Sequence, residues 1–109
     1  MNDNEIIIEE LVKFRNERDW EQFHNAKDLA LAISIEASEL NELFLWKSDE
    51  EADQSKIKEE LADVFAYCFL LAHKQNLNIK DIVLEKIEKN KLKYPVNKSK
   101  GTAKKYTDL

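Results

Sequence analysis

The sequence predicts an all-α protein, and two observations carry that prediction. Only one glycine and one proline occur in 109 residues, so the residues that tight turns between strands need are scarce. Apolar side chains recur every three to four positions in four stretches, which is the spacing of one helical face. Domains commonly contain roughly 100 to 150 residues. We therefore expect one four-helix bundle-type domain over residues 1–95, completed by a Lys-rich tail over residues 96–109 in the same unit.

The first predicted helix begins after an N-cap at Asp3 or Asn4 and ends near Arg18. Its apolar face repeats at Ile7, Leu11 and Phe14. A short connection without periodicity follows, in which three ring-bearing side chains stand close together, namely Trp20, Phe23 and His24. Two interpretations stay open: the segment is a lid packed on the core, or its rings contact a ligand.

The second and third predicted helices are strongly apolar. The second runs roughly from Lys27 or Asp28 to Trp46, and apolar residues cover more than one of its faces. Small residues lie between them, so a neighbouring helix can approach closely. We therefore expect part of this surface to pack against another subunit. The third helix runs roughly from Ser55 to Gln75.

The fourth predicted helix is shorter. Asn78 and Asp81 resemble an N-terminal cap pair, and the apolar repeat begins at Ile79. The helix should stop before Pro95, because the residue that precedes a proline, here Tyr94, is pushed toward an extended conformation.

Charge is divided unevenly along the chain. The net charge is −5, but residues 1–85 hold 9 Lys/Arg against 20 Asp/Glu, whereas residues 86–109 hold 8 Lys against 2 acids. An acidic body repels a phosphate backbone, so we expect no stable nucleic-acid binding. The first residues lack the layout of a signal peptide, and no apolar run reaches the roughly 20 residues of a membrane span. With Cys68 as the single cysteine, we expect a cytoplasmic protein without a membrane partner.

Two pairs of acidic residues occur at a spacing of three on the two central helices. Glu36 and Glu39 lie on the second helix, and Glu60 and Asp63 lie on the third. At about 100° per residue, Glu36 falls within the apolar stripe of its helix, whereas Glu60 and Asp63 flank the stripe of theirs. Two such helices packed together would converge four carboxylates. The alternative is that these acids lie on solvated helix faces and are neutralised by Lys.

Converging carboxylates favour a bound cation. A buried unpaired carboxylate costs several kcal/mol, and two like charges about 4 Å apart repel by roughly 4 kcal/mol at an effective dielectric of 20. A divalent cation removes both penalties. Ligation by oxygen atoms alone suits Mg²⁺, with Mn²⁺ as a substitute, better than zinc or copper.

The acidic motif also resembles that of a known family. Glu36-Ala-Ser-Glu39, twenty residues, then Glu60-Leu-Ala-Asp63 resembles the ExxE…ExxD signature of the MazG-like, all-α nucleotide pyrophosphohydrolases. Flanking segments look like the dCTP pyrophosphatase branch, namely ERDWEQFH at 17–24, LFLWK at 43–47, Lys86…Asn90…Lys93-Tyr94-Pro95 and Gly101…Lys104-Lys105-Tyr106-Thr107. The glycine-rich run that the family carries around its first acidic pair is absent. This departure affects helix packing more than ligation, because no acid is lost.

The resemblance implies a helical bundle that assembles as a dimer or a dimer of dimers. It also implies Mg²⁺-dependent hydrolysis of a (deoxy)nucleoside triphosphate, with dCTP or a modified dCTP as the expected substrate, to the monophosphate and pyrophosphate. The family's catalytic and metal-binding residues fall on Glu36, Glu39, Glu60 and Asp63. The expected substrate contacts are Trp20, His24, Trp46 and Tyr67 for the base and sugar, and Lys86, Asn90, Lys93, Tyr94, Lys104 and Lys105 toward the phosphates.

Two rival functions stay open on sequence grounds. One is a non-catalytic oligomeric helical adaptor, in which the acidic pairs are solvated and the tail is a docking arm. The other is an enzyme of the same fold that acts on dUTP or another non-canonical nucleotide. Base choice rests on a few hydrogen bonds in the pocket, and their geometry does not follow from residue spacing.

Overall fold

The computed structural model describes residues 1–109 and contains helices and turns without a β-strand, so the predicted all-α class is confirmed. The α-helices are α1 (Asp3–Glu17), α2 (Ala26–Glu42), α3 (Gln54–Lys74), α4 (Ile79–Lys93) and the single turn α5 (Val96–Ser99). Short 3₁₀ turns span Glu21–Phe23, Asp49–Glu51 and Tyr106–Asp108. The chain forms two compact units, Met1–Leu77 and Asn78–Leu109. None of the helices has the length and apolar character needed to cross a membrane.

Side-chain caps set the starts of the helices. The Asn2 side chain accepts a hydrogen bond from the Glu5 amide, and the Glu5 carboxylate accepts one from the Asn2 amide, which is a capping box. The predicted N-cap at Asp3 or Asn4 was therefore wrong by one or two residues, because the reciprocal pair needs Glu5 three residues after the cap. At α4 the predicted cap is confirmed, since the Asn78 side chain accepts a hydrogen bond from the Asp81 amide.

Helix α2 ends earlier than the apolar pattern predicts. Its last residue is Glu42, four residues before Trp46. From Leu43 onward the amides donate to carbonyls three residues back, as in Phe44 to Asn41 and Leu45 to Glu42, so the backbone tightens into turns. Trp46 then adopts a positive φ of 62° and leaves the helical path. The apolar spacing persists through this turn, and it therefore predicted, wrongly, that the helix continues to Trp46.

In the first unit α3 packs against both α2 and α1, with the larger interface toward α2. The buried residues are few: the apolar residues Leu29, Phe69, Leu70 and Ala72, and the charged residue Arg15. The face of α1 differs from the prediction at three positions, of which Ile7 is 41% exposed. Phe14 is 48% exposed, whereas Arg15 points inward.

Many large apolar side chains of this unit are left uncovered. Ile7 on α1, Leu31 on α2 and Phe65 on α3 are 41%, 57% and 54% exposed, respectively. Ile7 and Phe65 line one apolar groove with Leu11, Ala62 and Phe69. A single copy of the chain therefore leaves apolar surface on each of the three α-helices of this unit.

The second unit consists of α4, α5 and the C-terminal segment. Tyr94 ends α4 at φ −123° and ψ 67°, directly before Pro95. The Tyr94 and Tyr106 rings pack edge to face at 6.0 Å between centroids, which joins the end of α4 to the last turn of the chain.

Candidate functional site

Three carboxylates from two helices meet where α2 packs on α3. Glu36 comes from α2, and Glu60 and Asp63 come from α3. Each offers one oxygen atom, and the three atoms lie within 4.8 Å of one another. The spacing of three residues places Glu60 and Asp63 on neighbouring positions of the same side of α3. The packing of α2 on α3 brings Glu36 to the same point.

The cluster is partly withdrawn from water and unpaired. Glu36 and Glu60 are half-buried, and the Oε2 atom of each is shielded from solvent without a hydrogen-bond partner. Burial raises the pKa of the Glu36 carboxyl to about 7, and interactions with Glu39 and the charges of Asp63 and Glu60 add to that rise. Burial, together with the neighbouring carboxyls, also raises the pKa of Glu60.

Glu39 stands at the solvent edge of this cluster. Its side chain is exposed, and it is not among the three residues whose oxygens approach most closely. Its carboxyl nevertheless interacts with those of Glu36 and Glu60, and it contributes to the raised pKa of both. All four acids of the predicted set therefore lie together, three in close approach and Glu39 beside them.

The donor set fits a hard divalent cation. Buried oxygen atoms of two Glu side chains lack any partner, and like charges surround them, so each carboxylate is destabilised in its ionised form. A cation held between Glu36, Glu60 and Asp63 would supply the missing partner. Because every available ligand atom is an oxygen and no His or Cys joins the cluster, the donor set suits a hard, oxygen-preferring divalent cation better than zinc or copper.

An aromatic cavity of about 250 Å³ opens beside the carboxylates, and Asp63 lines both. Three of the predicted substrate-binding residues, Trp20, His24 and Tyr67, line its wall. The His24 and Tyr67 rings meet edge to face at 6.4 Å between centroids, and Trp20 packs against Phe14 at 5.7 Å. The remaining wall is formed by Leu11, Arg15, Ala66 and Leu70. The cavity has the flat apolar sides that suit a planar ring.

Two polar groups in this cavity are perturbed. Burial lowers the pKa of His24, and the positive charge of Arg15 lowers it further, so the imidazole is held neutral. The Nδ1 atom of His24 is shielded from solvent and has no partner. Burial raises the pKa of the Tyr67 hydroxyl, and the charges of Glu36, Asp63 and Glu39 act in the same direction.

Arg15 is the cavity residue that sequence reasoning missed. Its side chain is only 8% exposed, which is unusual for arginine in a small domain. The signal was present in the sequence, because Arg15 follows Leu11 and Ile8 by four and seven positions on one face of α1. An arginine at an apolar position indicates either an ion pair or a ligand contact.

The structure does not bring Trp46 into this cavity. The indole is 95% exposed, and the positive φ of the residue points it away from the helical path of α2. For a non-glycine residue with a bulky side chain this backbone conformation is rare and strained. Its contact with a base stays a prediction.

The other predicted phosphate contacts belong to the second unit. Lys86, Asn90 and Lys93 lie on α4, where both lysines are exposed and Asn90 is half-buried. The Lys93 ammonium lies 4.9 Å from the centre of the Tyr106 ring. Lys104 and Lys105 are exposed in the segment after Gly101. These residues offer positive charge on a solvated surface, and their role toward a substrate stays a prediction.

The helices and this site define a class: all-α proteins in which acids from two packed helices meet beside an aromatic cavity. Residues 31–109 match the MazG-like family. The chain therefore belongs to the MazG-like family, as the acidic motif predicted.

Individual relatives agree with this assignment. The chain is 43% identical over 105 residues to dCTP pyrophosphatase 1 of Mus musculus and 38% identical to that of Homo sapiens, with 89% of the chain covered in each case. It spans 62% of the length of these relatives. The crystal structure of a pyrophosphatase from Archaeoglobus fulgidus is similar with a TM-score of 0.81 at 36% identity, covering 87% of this chain and 94% of that chain.

Proposed function

We propose that the chain is a Mg²⁺-dependent nucleoside triphosphate pyrophosphohydrolase whose preferred substrate is dCTP or a modified dCTP. The observation that carries the proposal is the meeting of unpaired, half-buried carboxylates with an aromatic cavity at Asp63. The names of the mouse and human relatives and of the structural neighbour support the same reaction. Hydrolysis would place the enzyme among those that control the nucleotide pool.

The proposed division of labour follows from burial. Glu36, Glu60 and Asp63 would hold the cation, because their oxygens approach within 4.8 Å and two of them lack partners. When bound, Mg²⁺ supplies positive charge that polarises phosphate oxygens and stabilises the charge that develops in the transition state. Mn²⁺ would substitute for it, since it accepts the same oxygen ligands.

The reaction needs a water oxygen to bond to the α-phosphorus while the bond from that phosphorus to the bridging oxygen of the β-phosphate breaks. Glu39, which is exposed at the edge of the cluster, would accept the proton of that water. The leaving group is pyrophosphate. The lysines of the second unit, Lys86, Lys93, Lys104 and Lys105, would neutralise its charge, with Asn90 and Tyr94 as further polar contacts.

The base and sugar would occupy the aromatic cavity. Trp20 and Tyr67 offer ring faces or edges to a planar base, and each stacking contact is worth roughly 1 to 3 kcal/mol. His24 lines the same cavity and its Nδ1 has no partner within the protein, so it would exchange a hydrogen bond with a polar edge of the ligand. Trp46 would add a further aromatic surface.

We also propose that the protein works in the cytoplasm as a homo-oligomer, a dimer or a tetramer. Large apolar side chains on α1, α2 and α3 are about half exposed, among them Ile7, Leu31, Ile35 and Phe65. Apolar surface of this kind, distributed over three helices, is characteristic of a subunit interface. The half-buried thiol of Cys68 has no disulfide partner and stays reduced in that compartment.

The test of the proposed function is a pyrophosphate-release screen over canonical and modified nucleoside triphosphates, each with Mg²⁺ and with a chelator. We expect release that requires Mg²⁺ and is fastest with dCTP or a 5-substituted relative. Fastest release from dUTP would establish the same reaction with another substrate, and equal rates for all bases would indicate a permissive pocket. No release from any nucleotide, with no rise of the melting temperature in Mg²⁺, would favour the adaptor.

A further inference from the structure

Arg15 is the one charged residue among the buried residues of the chain. Removing an arginine from water costs several kcal/mol unless its donors are paired. The residue is 7% exposed and lies in the last turn of α1. Its partners therefore decide whether it is a structural or a ligand-binding residue.

Those partners leave most of the guanidinium unused. Nε donates to the Asn16 side chain at 3.1 Å. The Glu21 carboxylate lies 3.7 Å from Nη2, which is beyond hydrogen-bonding distance, and its side chain is 59% exposed. Of five N–H donors in a rigid planar fork, one makes a hydrogen bond within the protein. The two terminal nitrogens lack an acceptor.

Arg15 also lines the aromatic cavity, together with Trp20, His24 and Asp63. A ligand in this cavity meets the unused donors directly. The other walls are aromatic or aliphatic, namely Leu11, Phe14, Ala66, Tyr67 and Leu70. Such walls suit a flat ring and offer no further positive charge for a polyphosphate. We therefore expect the unpaired N–H donors of Arg15 to find their acceptors on the edge of a ligand ring that these walls hold.

We infer that Arg15 is the residue that selects cytosine over uracil, an inference that rests on the proposed function of the site. Cytosine presents two adjacent acceptors, N3 and the O2 carbonyl, which match the parallel donors of a guanidinium. In uracil N3 carries a hydrogen and becomes a donor, so it opposes the Arg15 donor. A site built to pair a buried polar group discriminates strongly against a ligand that leaves the group unpaired.

The test compares dCTP with dUTP in the Mg²⁺-loaded wild-type protein and in Arg15→Lys and Arg15→Gln. The measured quantity is the ratio of kcat/KM for the two nucleotides, which is independent of the fraction of folded protein in each preparation. We expect both substitutions to lower the preference for dCTP by roughly 5- to 150-fold, the range that a bidentate arginine contact to a base supplies.

Two matched controls separate recognition from structure. Arg18→Lys changes an exposed arginine of the same chain segment, which lies over the Phe14 ring, and should leave the ratio unchanged. Glu21→Gln removes the weak ion pair and keeps the guanidinium, and it should also preserve the ratio. If Glu21→Gln lowers the ratio as much as Arg15→Lys, Arg15 only anchors the 3₁₀ turn and the inference is overturned. Equal losses on dCTP and dUTP in the Arg15 variants, as expected for a phosphate contact, would overturn it too.

A binding measurement without turnover distinguishes this inference from the proposed function. Calorimetric titration with dCMP and dUMP in the absence of Mg²⁺ should show tighter binding of dCMP to the wild-type protein and a reduced preference in Arg15→Lys. A wild-type protein that releases no pyrophosphate but prefers dCMP contradicts the proposed reaction and supports the role of Arg15. If the wild-type protein hydrolyses dCTP and Arg15→Lys keeps the wild-type preference for dCMP over dUMP, the proposed reaction is supported and the role of Arg15 is contradicted.

Discussion

The two compact units of the chain carry opposite charge and hold it differently. Residues 1–77 contain 8 Lys/Arg against 18 Asp/Glu, and residues 78–109 contain 9 Lys against 4 acids. In the first unit, acidic oxygens of Glu36 and Glu60 are withdrawn from water without partners. In the second unit every lysine is exposed, and Lys91 pairs with Glu88 at 2.8 Å in full contact with solvent.

This difference indicates which charged groups would be stabilised by a bound ligand. A solvated lysine loses little by lacking a partner, because water screens it. A half-buried carboxylate with its pKa raised to about 7 is held in an unfavourable environment that a cation would relieve. Substitutions in the first unit should therefore change activity far more than substitutions in the second.

The largest effect is expected at the carboxylate cluster. Asp63→Asn removes a negative charge from a residue that belongs to the carboxylate cluster and also lines the aromatic cavity. Loss of cation-based charge stabilisation costs several kcal/mol, so kcat/KM for dCTP should fall by roughly 1000-fold or more. Glu39→Ala should also abolish turnover, because the proton acceptor is lost. Pyrophosphate release measures both, and Glu42→Gln, on the exposed end of α2, serves as the control. Wild-type activity in a folded Asp63→Asn protein would contradict the assignment.

A smaller effect concerns stability and its dependence on pH. The pKa of Glu36 is raised from 4.5 to about 7, so between these values the folded chain holds a proton that the unfolded chain releases. This contribution to stability is complete below pH 4.5 and is lost as the pH rises through 7. The metal-free protein should therefore melt at a lower temperature at pH 8 than at pH 5.

Glu36→Gln removes the titrating group and sharpens this prediction. The melting temperature of the variant should fall less between pH 5 and pH 8 than that of the wild type. If the substitution recovers about 1 kcal/mol of unfolding free energy at pH 8, the variant should melt roughly 4 to 8 °C higher than the metal-free wild type. Differential scanning calorimetry with a chelator measures it, with Glu42→Gln as the control that keeps the wild-type slope. Identical slopes in the wild type and Glu36→Gln would show that this carboxylate is not destabilised.

The smallest effects are expected for single lysines. Exposed ion pairs contribute about 0.2 to 1 kcal/mol, so Lys86→Ala, Lys93→Ala, Lys104→Ala or Lys105→Ala should each lower kcat/KM by roughly 5-fold at most. The loss should shrink as the salt concentration rises, since screening weakens the wild-type contact as well. Steady-state assays at low and high salt measure this. If substitution of any one lysine lowers kcat/KM as much as Asp63→Asn does, the proposed difference between the two units is contradicted.

The sequence predicted the all-α class, the helices and the acidic pairs because each rests on local periodicity. The spacing of three residues places Glu36 and Glu39 on one side of α2, and Glu60 and Asp63 on one side of α3. Two features were not predictable in this way. The end of α2 depends on a change from α-helical to 3₁₀ hydrogen bonding that the apolar pattern does not encode. The place of Arg15 in the wall of the aromatic cavity depends on residues 20–24 and α3, although its spacing from Ile8 and Leu11 indicates that it faces inward.

Divalent-cation binding tests the central claim most directly. Titration with Mn²⁺, followed by the electron paramagnetic resonance signal of the free ion, reports occupancy without any nucleotide. We predict binding by the wild-type protein and by Glu42→Gln, and at least roughly 10-fold weaker binding by Glu36→Gln and Glu60→Gln, because each loses an oxygen that has no other partner. Equal Mn²⁺ affinity in the wild type and Glu36→Gln, or no binding by the wild type, would contradict a metal site between α2 and α3.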